Sequence, residues 1–141
     1  MVLRVAVIGA GAIARRGHLP ALKLLEEEGL VELTALVDIK EDLAKRVSKE
    51  FDIPKCYADY KEMLRVEEPD ITIICTPTPT HFMIAKDCIK YSHLLVEKPL
   101  CMKLSEAIVL KRLAEENHKT VGEVYNYRYF SSVLKALKRV K

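Results

Sequence analysis

Within its first twenty residues the chain runs through Val2, Leu3, Val5, Ala6, Val7 and Ile8 and then breaks into Gly9, Ala10, Gly11, Ala12, Ile13 and Ala14. A short apolar run that ends in glycines and passes directly into a helix-like segment reads as a buried parallel strand, a tight turn and a helix. Gly9 can take the backbone conformation a sharp strand-to-helix turn needs, and Gly11 lacks the Cβ that would hold an anion away from the backbone. Ala14 stands where a third glycine often sits, and its methyl still lets helix and strand approach. Around Ala12 and Ile13 the helix start offers N–H groups and a partial positive charge, so this turn can hold a pyrophosphate.

An ordinary tight turn accounts for the same residues, so the next station matters. A second apolar run, Val31 to Val37, ends in Asp38, about the spacing at which a carboxylate accepts the ribose hydroxyls of a dinucleotide. That carboxylate would repel a 2′-phosphate, which favours NAD. Lys40 keeps NADP as the alternative. Asp38 can also cap a helix over residues 40–50.

Further along, strands and helices alternate. Pro20 removes a backbone donor and is expected to kink or restart the first helix, whose Leu22, Leu24 and Leu25 are expected on the sheet and whose C-cap is Gly29. Arg15 and Arg16 can reach a phosphate or stay solvated. Leu43, Val47 and Phe51 share one helical face, Ile53 to Tyr57 reads as a third strand, and Asp59 caps a helix through Leu64. Ile71 to Cys75 and His93 to Val96 are the fourth and fifth strands, and Thr120 to Val124 the sixth. This rhythm specifies an α/β fold with a doubly wound parallel sheet.

Two loops at strand ends carry chemistry. Thr76-Pro77-Thr78-Pro79-Thr80-His81 is expected as a rigid extended loop forming one wall of the cleft, with a hydroxyl from Thr76, a helix capped by Thr80, and His81 either near the nicotinamide or structural. After the fifth strand come Glu97, Lys98 and Pro99. A lysine there sits over the mouth of the sheet; beside a positive nicotinamide its ammonium is disfavoured, which suits it to proton relay. A surface lysine paired with Glu97 is the other reading. A helix from Ser105 to Asn117, capped by Ser105, places Ile108, Leu110 and Leu113 at core spacing. Tyr125 to Tyr129 and an amphipathic segment with Val133, Leu134, Leu137 and Val140 follow.

The 23 basic and 20 acidic residues are spread along the chain, so no field points to nucleic acid or a membrane. Cys56, Cys75, Cys88 and Cys101 lack metal-ligand spacing and read as reduced core thiols, which favours a cytoplasmic setting. The absence of glutamine, the two asparagines and the 30% of charged residues lean toward a heat-adapted source.

Together these stations resemble the glucose–fructose oxidoreductase and inositol dehydrogenase family (Gfo/Idh/MocA). Gly9 to Ala14 with His18-Leu19-Pro20 is similar to its opening. Thr76-Pro77 with His81, Glu97-Lys98-Pro99, and Asn126-Tyr127-Arg128-Tyr129 are similar to its later motifs in the same order. The resemblance implies a Rossmann domain over residues 1–124 that binds NAD or NADP through Gly9, Gly11, Ala12, Ile13, Asp38, Thr76, Pro77, His81, Glu97 and Lys98. It implies that Lys98 is catalytic, contacting the reacting hydroxyl and the nicotinamide ribose, and that Asn126 and Arg128 line the substrate side. Residues 125–141 would normally lead to a second α/β domain carrying most substrate contacts. The chain is therefore expected as a single cofactor domain, either truncated or completed by a separate substrate-domain chain. Its activity alone is in doubt, and its exposed apolar terminus predicts homo-oligomers. A non-catalytic NAD-binding or partner-docking module is the alternative.

Overall fold

The computed structural model describes residues 2–140, with the side chain of Val140 outside the description. The elements follow in the order β1 (Leu3–Ile8), a π-helical turn (Ala14–His18), α1 (Leu19–Glu27), β2 (Val31–Val37), α2 (Glu41–Glu50), β3 (Lys55–Tyr57), α3 (Tyr60–Glu67) and β4 (Ile71–Ile74). Then come α4 (Thr78–Cys88), β5 (His93–Val96), α5 (Leu104–Glu116), β6 (Val121–Glu123), a 3₁₀ turn (Asn126–Tyr129) and α6 (Ser131–Val140). All strand pairs are parallel, and the sheet order is β3-β2-β1-β4-β5-β6. This is the doubly wound Rossmann order, whose direction reverses between β1 and β4.

The central strands β1, β2, β4 and β5 are mostly apolar because both faces are covered. Val5 and Val7 enter one core with Leu19, Leu22 and Val47 from α1 and α2. Ala6 and Ile8 enter the other with Met63, Leu64, Ile84, Ala85, Cys88 and Leu110 from α3, α4 and α5. Each fully buried Leu, Ile or Val side chain contributes roughly 1.5–3 kcal/mol, so the strand run that begins the chain anchors both layers.

The strand ends are aligned. Tyr57, Val37, Ile8, Ile74, Val96 and Glu123 are successive partners across the sheet. The residues that follow them therefore leave along one edge. The ladder runs one residue further, with Gly9 N–H donating to Val37 O at 2.7 Å, Cys75 N–H to Ile8 O at 2.7 Å and Glu97 N–H to Ile74 O at 2.9 Å.

Several local expectations need correction. Pro20 does restart the helix, but the adjustment lies before it: Leu19 N–H donates to Ala14 O, a π-type bond that absorbs the donor Pro20 lacks. Only Leu22 of the three leucines is buried, since Leu24 and Leu25 fall off the face set by Leu19 and Leu22. Gly29 ends α1 in a Schellman motif, with φ +70°, Gly29 N–H to Glu26 O and Leu30 N–H to Leu25 O. Lys40, not Asp38, is the N-cap of α2, whereas Asp59 does cap α3 by accepting from Lys61 N–H at 2.8 Å.

The proline loop is shorter than expected. α4 begins at Thr78 with Pro77 as N-cap, because Pro79 falls in the first turn, where a missing N–H costs nothing. Thr80 lies inside that turn and is not its cap. Lys103 rather than Ser105 caps α5, where the Glu106 carboxylate accepts from the N–H groups of Met102 and Lys103. Ile108 is exposed and Leu110 carries the core contact. The four cysteines are free, and Cys75 and Cys88 are buried while Cys56 and Cys101 are only partly covered. Among the described residues no helix is long and apolar enough to cross a membrane.

Candidate functional site

The glycine turn sits where the sheet order reverses. Gly9 has φ +102°, and a Cβ there would lie 2.8 Å from the carbonyl carbon and oxygen of Cys75. Glycine at this position lets the loop after β4 close against the loop after β1. Gly11 differs: its φ is not in the left-handed region, and a Cβ there would meet nothing within 4 Å. No neighbour in the fold requires that glycine. Its space opens at the first turn of the helix, where no side chain caps the backbone at Ile13. An anion lying close to the backbone is what such a vacancy accommodates.

Asp38 stands beside this turn at the end of β2. One carboxylate oxygen accepts from Ala10 N–H at 2.9 Å, and the other accepts from Lys40 N–H at 2.9 Å. These bonds orient the carboxylate and occupy only part of its acceptor capacity, which is about four lone-pair sites. Two neighbouring hydroxyls of a sugar can use the rest. Next to it in the chain, an open depression of about 530 Å³ at the start of α2 is lined by Lys40, Glu41, Asp42, Leu43 and Arg46.

On the other side of the switch point the loops after β4 and β5 are locked to each other. His81, in the first turn of α4, is 1% exposed. Its Nδ1 lies 2.8 Å from Pro99 O and its Nε2 lies 2.7 Å from Thr76 O, so the ring presents no free nitrogen to the cleft. The hydroxyls of Thr76 and Thr80 are 2.8 Å apart. Cys75, beneath this loop, is pushed up to about 12 by burial and secondarily by the charge of Glu97, which keeps it a neutral thiol and a poor nucleophile.

Glu97 is buried and turned inward. One oxygen lies 2.8 Å from His18 Nε2, and the other accepts from the backbone N–H of Lys98 at 3.2 Å. This carboxylate joins the helix of the glycine turn to the Lys98 segment. Lys98 itself is exposed, and among the described residues it enters no ion pair, with Glu97 or any other acid. The Lys98–Pro99 peptide is cis. Leu100 N–H donates to Glu123 at 2.7 Å, so β6 braces the same segment.

The edge thus gathers Gly11, Ala12, Ile13, Asp38, Thr76, Pro77, Glu97 and Lys98, with His81 beneath it. Arg15 is turned toward Glu50, one guanidinium nitrogen donating to both carboxylate oxygens at 2.8 and 3.1 Å. Asn126 and Arg128 occupy the exposed 3₁₀ turn past the carboxyl end of β6, with the Arg128 guanidinium 5.8 Å from the Tyr129 ring centre. The His18–Glu97 contact and the Glu123 brace were not foreseen. A histidine seven residues past Gly11 and an acid beside the lysine are visible in sequence, but their meeting across 79 residues is a property of the sheet order.

Comparison with known proteins agrees with this geometry. Residues 3–125 match the family described as "Oxidoreductase family, NAD-binding Rossmann fold". Glucose-6-phosphate 3-dehydrogenase of Bacillus subtilis is 32% identical over 137 residues, covering 95% of this chain and 37% of that protein. The WlbA dehydrogenase of Chromobacterium violaceum, solved with NADH and UDP-GlcNAcA, superposes with a TM-score of 0.89 at 25% identity, covering 99% of this chain and 39% of that one. KijD10, a 3-ketoreductase of Actinomadura kijaniata solved with NADP and TDP-benzene, gives 0.89 at 28% identity, covering 99% and 42%. The chain spans about a third of the length of the curated relatives it matches. A sheet in Rossmann order, a glycine turn at its switch point and a family match over nearly the whole length lead to one conclusion: the chain belongs to the Gfo/Idh/MocA oxidoreductase family and comprises its NAD-binding Rossmann domain.

Proposed function

We propose that this chain binds NAD along the carboxyl edge of its sheet, as the cofactor half of an oxidoreductase acting on a sugar- or polyol-like substrate. The observation that carries the reading is the open space at Gly11, which no packing explains and a diphosphate would fill. Asp38 would hold the adenosine ribose and Thr76-Pro77 would form a wall of the cleft. Lys98 would stand at the reacting end, three strand spacings from Asp38 or roughly 14 Å. When bound, the cofactor supplies the hydride acceptor or donor. Lys98, exposed and without an acidic partner among the described residues, can hold or pass on the proton of a substrate hydroxyl at its Nζ. Asn126 and Arg128 would face the substrate.

NAD is favoured over NADP because Asp38 is fixed by Ala10 and Lys40 N–H groups and cannot swing clear of a 2′-phosphate. In the neighbouring depression, Lys40 and Arg46 are matched by Glu41 and Asp42, so that phosphate gains no net attraction there. Isothermal calorimetry with NAD, NADH, NADP and NADPH tests the reading: heat from the NAD pair, and weaker or no heat from the NADP pair, is expected. No binding of any of the four would overturn it.

A second reading, a nucleotide-binding or partner-docking module without turnover, is favoured by the exposed apolar side chains of Tyr127, Tyr129, Phe130, Leu134 and Leu137, a surface that a partner would cover. The readings separate on polyol oxidation measured with and without a separately supplied second-domain chain. Activity restored by that chain supports the enzyme, and NAD binding with no turnover in either case supports the module.

A further inference from the structure

We propose that His81 is the positioning residue that fixes Lys98, by tying the carbonyl of Pro99 to the loop after β4. This rests on the reading of the sheet edge as a dinucleotide site. Both ring nitrogens of His81 are at hydrogen-bond distance from backbone carbonyls, 2.8 Å from Pro99 O and 2.7 Å from Thr76 O, and the ring is 1% exposed; a neutral ring carries one N–H, and the assignment places it on Nδ1, donating to Pro99 O. A residue needed only to fill that volume would be apolar, since a buried ring nitrogen must find a partner. Here the partners belong to two loops that leave adjacent strands at the carboxyl edge.

The segment that carries Lys98 is gripped at three consecutive residues. Lys98 N–H donates to Glu97, Pro99 O faces His81, and Leu100 N–H donates to Glu123. Of these grips, His81 is the one supplied by α4, and it links the Lys98 segment to the loop after the neighbouring strand β4. It transmits the position of α4 to the lysine, and so sets how the nicotinamide half is received. The diphosphate and adenosine half depends on the glycine turn and Asp38, which His81 does not touch.

The side chain can be dissected. An asparagine amide nitrogen takes the place of Nδ1 and keeps the Pro99 contact alone; a glutamine amide nitrogen takes the place of Nε2 and keeps the Thr76 contact alone. Binding of NADH and of ADP, which lacks the nicotinamide half, is measured on the whole chain for wild type, His81→Asn and His81→Gln. The expected result is ADP affinity unchanged in all three, NADH affinity near wild type in His81→Asn, and NADH affinity lowered by about tenfold in His81→Gln, the scale of one lost hydrogen bond. Equal losses for NADH and ADP, or equal behaviour of the Asn and Gln variants, would overturn the assignment. Wild-type chain that binds neither ligand would overturn the site reading, and this proposal with it.

Discussion

A Cβ added at Gly9 would lie 2.8 Å from the Cys75 backbone, whereas one added at Gly11 would meet nothing within 4 Å. Gly9→Ala is therefore expected to lower stability by about 2–4 kcal/mol, from the clash and from its positive φ. Gly11→Ala is expected to leave the thermal midpoint unchanged or slightly raised, because alanine restricts the unfolded chain, while weakening NAD by tenfold or more on the scale of a displaced contact. Thermal melts and calorimetry on both variants separate the two roles; a destabilised Gly11→Ala, or one that binds NAD normally, would remove the diphosphate argument. Asp38→Ala should weaken NAD much more than NADP, and equal loss for both would remove the ribose argument. Both glycines are legible in the sequence as a turn. That one serves the neighbouring loop and the other leaves open space depends on how closely β4 approaches, which a linear reading cannot give.

Elements whose signals are local were legible, and those set by neighbours were not. The central strands are legible because both faces are buried and their runs are predominantly apolar, and Asp59 and Gly29 act through adjacent backbone. α4 starts three residues before the helix that a Thr80 cap predicts, and the cap of α5 lies two residues before Ser105, because threonine and serine resemble caps wherever they occur. Lys103 caps α5 without side-chain chemistry of its own, and Glu106 completes the turn from inside the helix. Leu24, Leu25 and Ile108 were misassigned to the core because helical phase is set by docking, not by the spacing of leucines alone. α6 presents Val133, Leu134 and Leu137 to solvent beside the exposed Tyr127, Tyr129 and Phe130, and a contiguous apolar stripe of this kind is expected to drive association. Light scattering should show concentration-dependent growth for wild type and a monomer for the Leu134→Glu, Leu137→Glu double variant; a wild-type chain that stays monomeric at high concentration would contradict this.

At the scale of the molecule, one topological fact brings the site together: six strand ends lie in register, and the order reverses between β1 and β4. The same burial that builds the sheet makes the fold sensitive to alkali. Burial raises Cys75 and Cys88 from about 9 to about 12, and burial with the Glu67 hydrogen bond raises Tyr57 from about 10 to about 12. The folded chain thus holds protons that the unfolded chain releases, so this stability is fully present below pH 9 and is lost as pH rises toward 12. Thermal midpoints should fall across that window and be insensitive to these groups below it; a flat profile from pH 9 to 12 would contradict the burial of the thiols. The most direct test of the central claim is a map of backbone amide shifts by nuclear magnetic resonance as NAD is added. The account predicts that the largest changes fall on Ala10 to Ile13, Asp38, Thr76 and Lys98, and changes confined to the opposite edge of the sheet, or none at all, would contradict it.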